Sequence, residues 1–206
     1  DSCDTVVVPV YSDTKLTAFG RDINQALNRQ LSQLIKAEEF SGKLAEIVLV
    51  YSPEKAASKR VVLWGLGDKT TLEIQSWSNA TKALANYLRK IKAGHVCLLG
   101  DIAVPKKLGA EQAWQQLTSQ LVHATYNYTA TLSKPESKQQ ELTKLTVLSK
   151  GAISGINRAV KRGLAIGDGI NIARELGNLP GNVCTPKYLS AQARKLGRKH
   201  DNISTK

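Results

Sequence analysis

Short strand patterns alternate with helix patterns through residues 1–150, and this alternation constrains the fold more than any other feature. Runs of β-branched and aliphatic residues of strand length occur at 5–10, 46–51, 60–64, 95–99 and 142–148. Between them, apolar residues recur three and four positions apart, as on one face of a helix, at 22–35, 76–92 and 110–126. Strands that alternate with helices form a mainly parallel sheet covered by helices. We therefore predict an α/β domain over residues 1–150.

Two local expectations follow from the first part of this pattern. Pro9 lies in the first strand, and a proline lacks the N–H group of a ladder hydrogen bond, so it predicts a sheet edge or the end of a strand. The apolar residues from Asp22 to Ile35 keep one helical period, which predicts a single helix there.

A helix stop and restart lies near the end of the chain. A helical pattern runs over 149–176, and the Pro180-Gly181 pair then predicts a turn. Thr185 and Pro186 are a favourable N-cap and first helical residue, so a last helix is expected from there. Glycines inside the long pattern would allow another backbone to pack closely against it; they are Gly163, Gly167 and Gly169.

The composition is that of an ordinary globular chain, with 42% hydrophobic and 22% charged residues. No apolar run approaches the length of a membrane span, and the acidic N-terminus does not resemble a signal peptide. We therefore expect a cytoplasmic protein whose three cysteines are reduced thiols. Because the chain contains no Met, we expect residues before position 1 to have been removed.

The net charge of +12 is concentrated at the end of the chain, where residues 151–206 carry +7 of it. A basic surface of this kind can attract nucleic acid, but a solvated helix face or one side of an interface explains it more simply. The candidate nucleic-acid contacts are Lys187, Arg194, Lys195, Arg198 and Lys199.

Few residues point to catalysis. The loop Gly65–Asp68 follows a strand and could bring N–H groups to a phosphate, although a tight turn explains it more simply. None of the histidines has a second His or a carboxylate at metal-ligand spacing; they are His95, His123 and His200. Cys184 has no nearby His, which favours a small buried side chain over a nucleophile. The residues alone predict neither a catalytic group nor a metal ligand.

The segment from Gly163 to Arg194 resembles the interdomain segment of the leucyl aminopeptidase (cytosol aminopeptidase) family. The similarity is carried by Ala-Arg-Glu-Leu at 173–176, followed by Asn-Leu-Pro-Gly-Asn-Val-Cys-Thr-Pro at 178–186. Glu175 stands where the family often has Asp. Two upstream phrases, 39–43 and 60–67, are similar to that family's N-terminal domain.

The resemblance implies a three-layer α/β domain over 1–150, similar to a macro domain, then a linker helix at 151–176 and the start of a catalytic domain at 177–206. It implies a parent enzyme that removes N-terminal residues, leucine by preference, from peptides. That enzyme would use two zinc or manganese ions and form a homo-hexamer, with its metal ligands downstream of this chain. The chain alone is then expected to be inactive. A DNA-binding module, or a nucleotide-derivative binder that uses the Gly65–Asp68 loop, are the alternatives.

Overall fold

The computed structural model describes residues 3–52, 58–100, 102, 104–131, 142–149 and 155–205. These residues form five strands and six helices. In chain order they are β1 Cys3–Val10, α1 Ala18–Ala26, α2 Gln30–Lys36, β2 Ile47–Tyr51, β3 Ser58–Gly65, α3 Ile74–Lys90, β4 His95–Leu99, α4 Gly109–Thr125, β5 Lys144–Leu148, α5 Ile156–Asn178 and α6 Pro186–Lys199.

The strands form one sheet in the order β2-β3-β1-β4-β5. The pairs β1–β3, β1–β4 and β4–β5 are parallel, and β2 alone is antiparallel to its neighbour β3. The prediction of a mainly parallel sheet is confirmed. The prediction of an edge position for the first strand is wrong, because β1 is the central strand. Its pairing with β4 covers only Thr5 to Val7, so Pro9 lies beyond that ladder, next to the strand's end.

Each face of the sheet carries its own apolar core, because alternate residues of β1 and β3 point to opposite sides. One core includes Val7, Val62 and Trp64 and is covered by α3, α4 and the start of α5. The other includes Val8 and Leu63 and is covered by α1 and α2. The described residues therefore form three layers, helices over sheet over helices.

The helix predicted from Asp22 to Ile35 is interrupted in the structure. Asn28 and Arg29 adopt left-handed backbone conformations with φ of 50° and 63°, which separate α1 from α2. The Asn24 side chain bridges this break through two hydrogen bonds with Ser32, at 2.6 and 3.1 Å. Apolar periodicity did not reveal the break, because the buried positions Leu27 and Leu31 keep their spacing across it.

Helix α5 differs from its predicted bounds at both ends. It begins at Ile156, after Gly155 in the left-handed conformation, and it continues to Asn178. Ser149 lies outside the helix, and positions 150–154 lie outside the described residues. No helix in the described part of the chain has the length and apolar character needed to cross a membrane.

Candidate functional site

Helices α4 and α5 pack closely at two glycines. A Cβ atom on Gly163 would lie 2.5 Å from the carbonyl oxygen of Gln115, and one on Gly167 would lie 2.5 Å from Cβ of Val122. No atom outside the helix backbone lies within 4 Å of the corresponding position on Gly169. The prediction of a close backbone approach is confirmed for the first two glycines and wrong for the third.

The amino end of α5 is joined to α4 by an exposed cluster of ion pairs. Glu111 of α4 accepts hydrogen bonds from Arg158 at 2.8 and 3.0 Å and from Arg162 at 3.2 Å. Both arginine side chains are more than half exposed. Exposed ion pairs contribute little to stability, so these contacts fix geometry more than they strengthen the fold.

The carboxyl end of α5 is joined to α4 by a denser polar cluster, which we call the α5 clamp. It consists of Tyr126, just after α4, and four α5 residues on one helical face: Asn171, Arg174, Glu175 and Asn178. Tyr126 donates a hydrogen bond from its hydroxyl to Glu175 at 2.9 Å and accepts one from Asn178 at 3.0 Å. The Arg174 guanidinium lies 4.2 Å from the centre of the Tyr126 ring, a cation–π contact.

The clamp also satisfies backbone groups at the end of α4. The last carbonyls of a helix lack intrahelical partners and carry the negative end of its dipole. Asn171 donates to the carbonyl of Val122 at 3.0 Å, and Arg174 donates to that of His123 at 3.1 Å. Side chains of α5 therefore cap α4.

Two titratable groups at the clamp have shifted pKa values. Burial raises the pKa of the Tyr126 hydroxyl, the hydrogen bond from Asn178 opposes this, and the hydrogen bond to Glu175 raises the pKa further. The phenol therefore remains a donor at neutral pH. Burial lowers the pKa of the neighbouring His123 imidazole, and the charge of Arg174 lowers it further.

Sequence reasoning identified the segment of the clamp but not its contacts. A signal was present, because positions 171, 174, 175 and 178 have the i, i+3, i+4, i+7 spacing of one helical face and all are polar. Tyr126, by contrast, lies 49 residues from Glu175, and no local pattern marks it as the partner.

The turn between α5 and α6 is closed by its own backbone. The carbonyl of Pro180 accepts hydrogen bonds from the amides of Val183 and Cys184, both at 2.9 Å. The Thr185 hydroxyl oxygen accepts from the amide of Tyr188 at 3.3 Å, and Pro186 is the first residue of α6. The predicted helix restart is confirmed.

Large aliphatic side chains are exposed on both sides of this turn. Those on α5 are 39% to 44% exposed; they are Leu164, Ile166, Ile170 and Ile172. Val183 in the turn and Leu189 on α6 are 41% and 44% exposed, and α6 has no buried residue. We call these six residues the junction surface. By helical spacing, Ile166 and Ile170 lie on one side of α5 and Leu164 and Ile172 on the other, so these side chains form two apolar strips rather than one patch.

The basic residues of α6 lie mainly opposite its apolar face. Lys187, Arg194 and Arg198 share one face at helical spacing, with Lys195 and then Lys199 farther round the helix. All five side chains are exposed. The opposite face carries the apolar residues Leu189, Ala193 and Leu196. The structure therefore brings the predicted nucleic-acid contacts onto a solvent-facing surface.

The Gly65–Asp68 loop is a tight turn whose amides are already used. The amides of Gly65, Leu66 and Gly67 donate to the carbonyls of Glu46, Val10 and Gly42, at 2.8 to 2.9 Å. A Cβ atom on Gly65 would collide with the carbonyl oxygen of Lys43. The three amides are therefore not free to bind a phosphate.

The histidines and Cys184 do not come together as a site. His95 shares a hydrogen bond of 2.9 Å between its Nε2 atom and the Thr146 hydroxyl, and His200 is exposed. Cys184 is half-buried in the turn. Across the described ranges, no three His, Cys, Asp or Glu side chains are grouped so as to hold a metal ion.

Comparisons with known proteins agree with this α/β fold. The family profile described as the cytosol aminopeptidase family, N-terminal domain, matches residues 7–135. The probable cytosol aminopeptidase of Nitrosococcus oceani is 35% identical over 98% of the chain, which covers 40% of that relative. The probable cytosol aminopeptidase of Chromobacterium violaceum is 34% identical over 93% of the chain, covering 37% of its length.

Solved structures show the same fold. A mutant of tomato leucine aminopeptidase matches 97% of the chain with a TM-score of 0.74 and 23% identity, and the chain covers 40% of it. The bottromycin maturation enzyme BotP matches 96% of the chain with a TM-score of 0.70 and 19% identity, with 38% of it covered. The chain spans about 40% of the length of these relatives. It belongs to the cytosol aminopeptidase family and contains that family's N-terminal domain.

Proposed function

We propose that the chain is the non-catalytic N-terminal part of a binuclear metal-dependent leucyl aminopeptidase, which removes N-terminal residues, leucine by preference, from peptides. In this proposal residues 177–206 begin the catalytic domain, and the rest of that domain follows residue 206. The role of the present chain is assembly or regulation of the parent enzyme. The parent enzyme is a cytoplasmic homo-hexamer.

The junction surface is the observation that carries the proposal. Its aliphatic side chains lie on both sides of the turn at which we propose that the chain passes from one domain to the next. Burying such side chains gains about 25 cal/mol for each Å² removed from water, which makes a second domain their natural cover. The lengths of the relatives support the presence of that domain, since they are about two and a half times as long as this chain.

The two metal ions of the proposed enzyme do not fit the residues described here. Zinc and manganese need several carboxylate, imidazole or thiolate ligands in one place, and the described side chains offer no such group. A pair of divalent ions activates a water molecule and polarises the scissile carbonyl, and we assign that chemistry to the following domain. A bound manganese is part of one fold neighbour, BotP in complex with Mn.

The test compares two polypeptides under the same conditions, residues 1–206 and the full-length protein. We expect the full-length protein to hydrolyse leucine p-nitroanilide with added Mn²⁺ or Zn²⁺, and residues 1–206 to show no hydrolysis above buffer. Activity in residues 1–206 would disprove the non-catalytic assignment. A full-length protein that folds, binds the metal and leaves all aminoacyl anilides intact would disprove the enzymatic assignment.

Nucleic-acid binding is the second candidate, favoured by the exposed basic residues of α6. Each phosphate neutralised by a Lys or Arg lowers log K by about 0.9 for each unit of log salt concentration. Replacing Arg194, Lys195 and Arg198 with Gln should therefore weaken duplex binding and reduce the salt slope by up to about 3. The matched control replaces Arg89, Lys90 and Lys92, which are exposed at the carboxyl end of α3 or just after it. Equal effects of the two triple variants, or no effect of the first, would reject this candidate.

A further inference from the structure

Helix α5 is attached to α4 along its whole length. Its amino end is joined to Glu111, its middle approaches Gln115 and Val122 at the two glycines, and its carboxyl end is joined to Tyr126. These contacts extend well beyond residue 135, where the match to the family's N-terminal domain ends. The helix is therefore built into the first domain.

Attachment stops at the end of α5. The amide of Leu179 still donates to the carbonyl of Glu175 at 3.1 Å. Within the described chain, each later loop or cap hydrogen bond, from the Val183 amide onward, joins residues from Pro180 onward only. Helix α6 has no buried residue, so neither packing nor hydrogen bonding ties it to the sheet.

From this contrast we infer that α5 moves rigidly with the α/β domain and that the hinge between this domain and a following one lies at 179–185. The α5 clamp then fixes the direction in which the chain leaves the α/β domain. A helix at the boundary between two domains is more simply expected to act as the connector itself. Here the contacts place the pivot after the helix, and Tyr126, Arg174 and Asn178 are positioning residues.

The geometry of Tyr126 explains why this small cluster is sufficient. Its hydroxyl binds residues from two successive turns of α5, Glu175 and Asn178, while its ring contacts Arg174. One side chain therefore restrains the last turns against rotation as well as translation. Loss of the hydroxyl alone would remove both hydrogen bonds and leave the ring in place.

The inference rests on the proposed function only in that a second domain follows the hinge. Its first test needs residues 1–206 alone, by hydrogen–deuterium exchange. We expect protected amides along α5, rapid exchange at Gly181 and Asn182, and weaker protection at 183–185 than along α5, because those turn amides bond only within the turn. In Tyr126→Phe and Asn178→Ala, exchange at 174–179 should become roughly 3- to 10-fold faster, the factor that one or two hydrogen bonds provide. Amides of α3 should not change.

The control is Glu111→Gln, which loosens the same helix pair at the other end. It should leave exchange at 174–179 unchanged. If Glu111→Gln accelerates 174–179 as much as Tyr126→Phe, or if Tyr126→Phe and Asn178→Ala have no effect there, the clamp does not act as inferred. Rapid exchange throughout α5 in the unmodified chain would show that the helix itself is the hinge.

A distance measurement separates positioning from stability. Spin labels are attached at Asn86→Cys on α3 and Gly177→Cys on α5, because both positions are exposed. Cys184 is replaced by Ser in the same protein so that it is not labelled. Pulsed electron paramagnetic resonance should give a narrow distance distribution that broadens in Tyr126→Phe at an equal folded fraction. An unchanged width would reject the positioning role. None of these results depends on peptidase activity, so the inference and the proposed function can fail separately.

Discussion

Asp4 illustrates how a single residue joins distant parts of the chain. Its Oδ2 atom accepts hydrogen bonds from the amides of Gly94 and His95 at 2.8 and 2.7 Å, and its Oδ1 atom lies 3.5 Å from Arg60. Burial alone would raise the pKa of this carboxyl. The hydrogen bonds from Thr5, His95 and Gly94, together with the charge of Arg60, outweigh that effect and hold it below its usual value. Sequence patterns did not reveal this role, because Gly94 lies 90 residues away.

The lowered pKa of Asp4 makes a prediction about acid stability. A carboxyl with a lower pKa in the folded state stabilises it fully above the unfolded value of about 3.9, and the contribution disappears as the pH falls through the folded pKa. At pH 7, Asp4→Ala should lower the free energy of unfolding by about 1–3 kcal/mol, since two amides lose their acceptor.

Urea unfolding of both proteins between pH 7 and pH 2.5 measures the difference, which should shrink below about pH 4. Asp22→Ala, at an exposed position on α1, is the control and should behave like the unmodified protein at every pH. A difference that stays constant with pH would mean that the Asp4 charge does not contribute.

We expect alanine to have opposite effects on stability at two glycines of α5. At Gly163 a methyl group meets the backbone of α4, and overpacking of this kind usually costs about 1–3 kcal/mol. At Gly169 the methyl group meets open space, and alanine is favoured over glycine inside a helix by about 0.5–1 kcal/mol. Urea midpoints should therefore fall for Gly163→Ala and rise for Gly169→Ala. Two shifts of the same sign would contradict the packing described for α4 and α5.

At the scale of elements, the sequence predicted the existence and type of most strands and helices and was weaker on their arrangement. Hydrophobic periodicity located all five strands within a few residues, because burial decides that pattern. It could not place β1 at the centre of the sheet, since pairing depends on distant strands. It also missed the break between α1 and α2, where backbone conformation at Asn28 and Arg29 changes while the apolar spacing continues.

We expect a substitution on α6 to affect stability differently in residues 1–206 and in the full-length protein. In residues 1–206, Leu189→Ser should change the free energy of unfolding by no more than about 0.5 kcal/mol, because Leu189 is 44% exposed on a helix that has no buried residue. In the full-length protein the same change should lower the melting temperature, because there we expect Leu189 to be covered. Lys195→Ser is the matched control on the basic side of the helix. Equal effects in the two polypeptides would argue against a second domain on the junction surface.

At the scale of the whole molecule, the candidate site was predicted more by resemblance than by residue chemistry. The phrase around Arg174 and Glu175 indicated a boundary between domains, and the family match confirms the parent family. This sequence motif could not show that its polar residues contact α4, because that contact depends on how the two helices pack.

The half-buried Cys184 allows a label to be attached to the turn between α5 and α6. Cys3 and Cys97 are buried, and burial together with the neighbouring Cys97 thiol raises the pKa of Cys3 to about 12, so little thiolate forms there. A maleimide dye should therefore couple first to Cys184, in the turn between the last two helices. The emission wavelength and the fluorescence anisotropy of the dye would then show, without further mutation, whether the turn is exposed to solvent or covered by another domain.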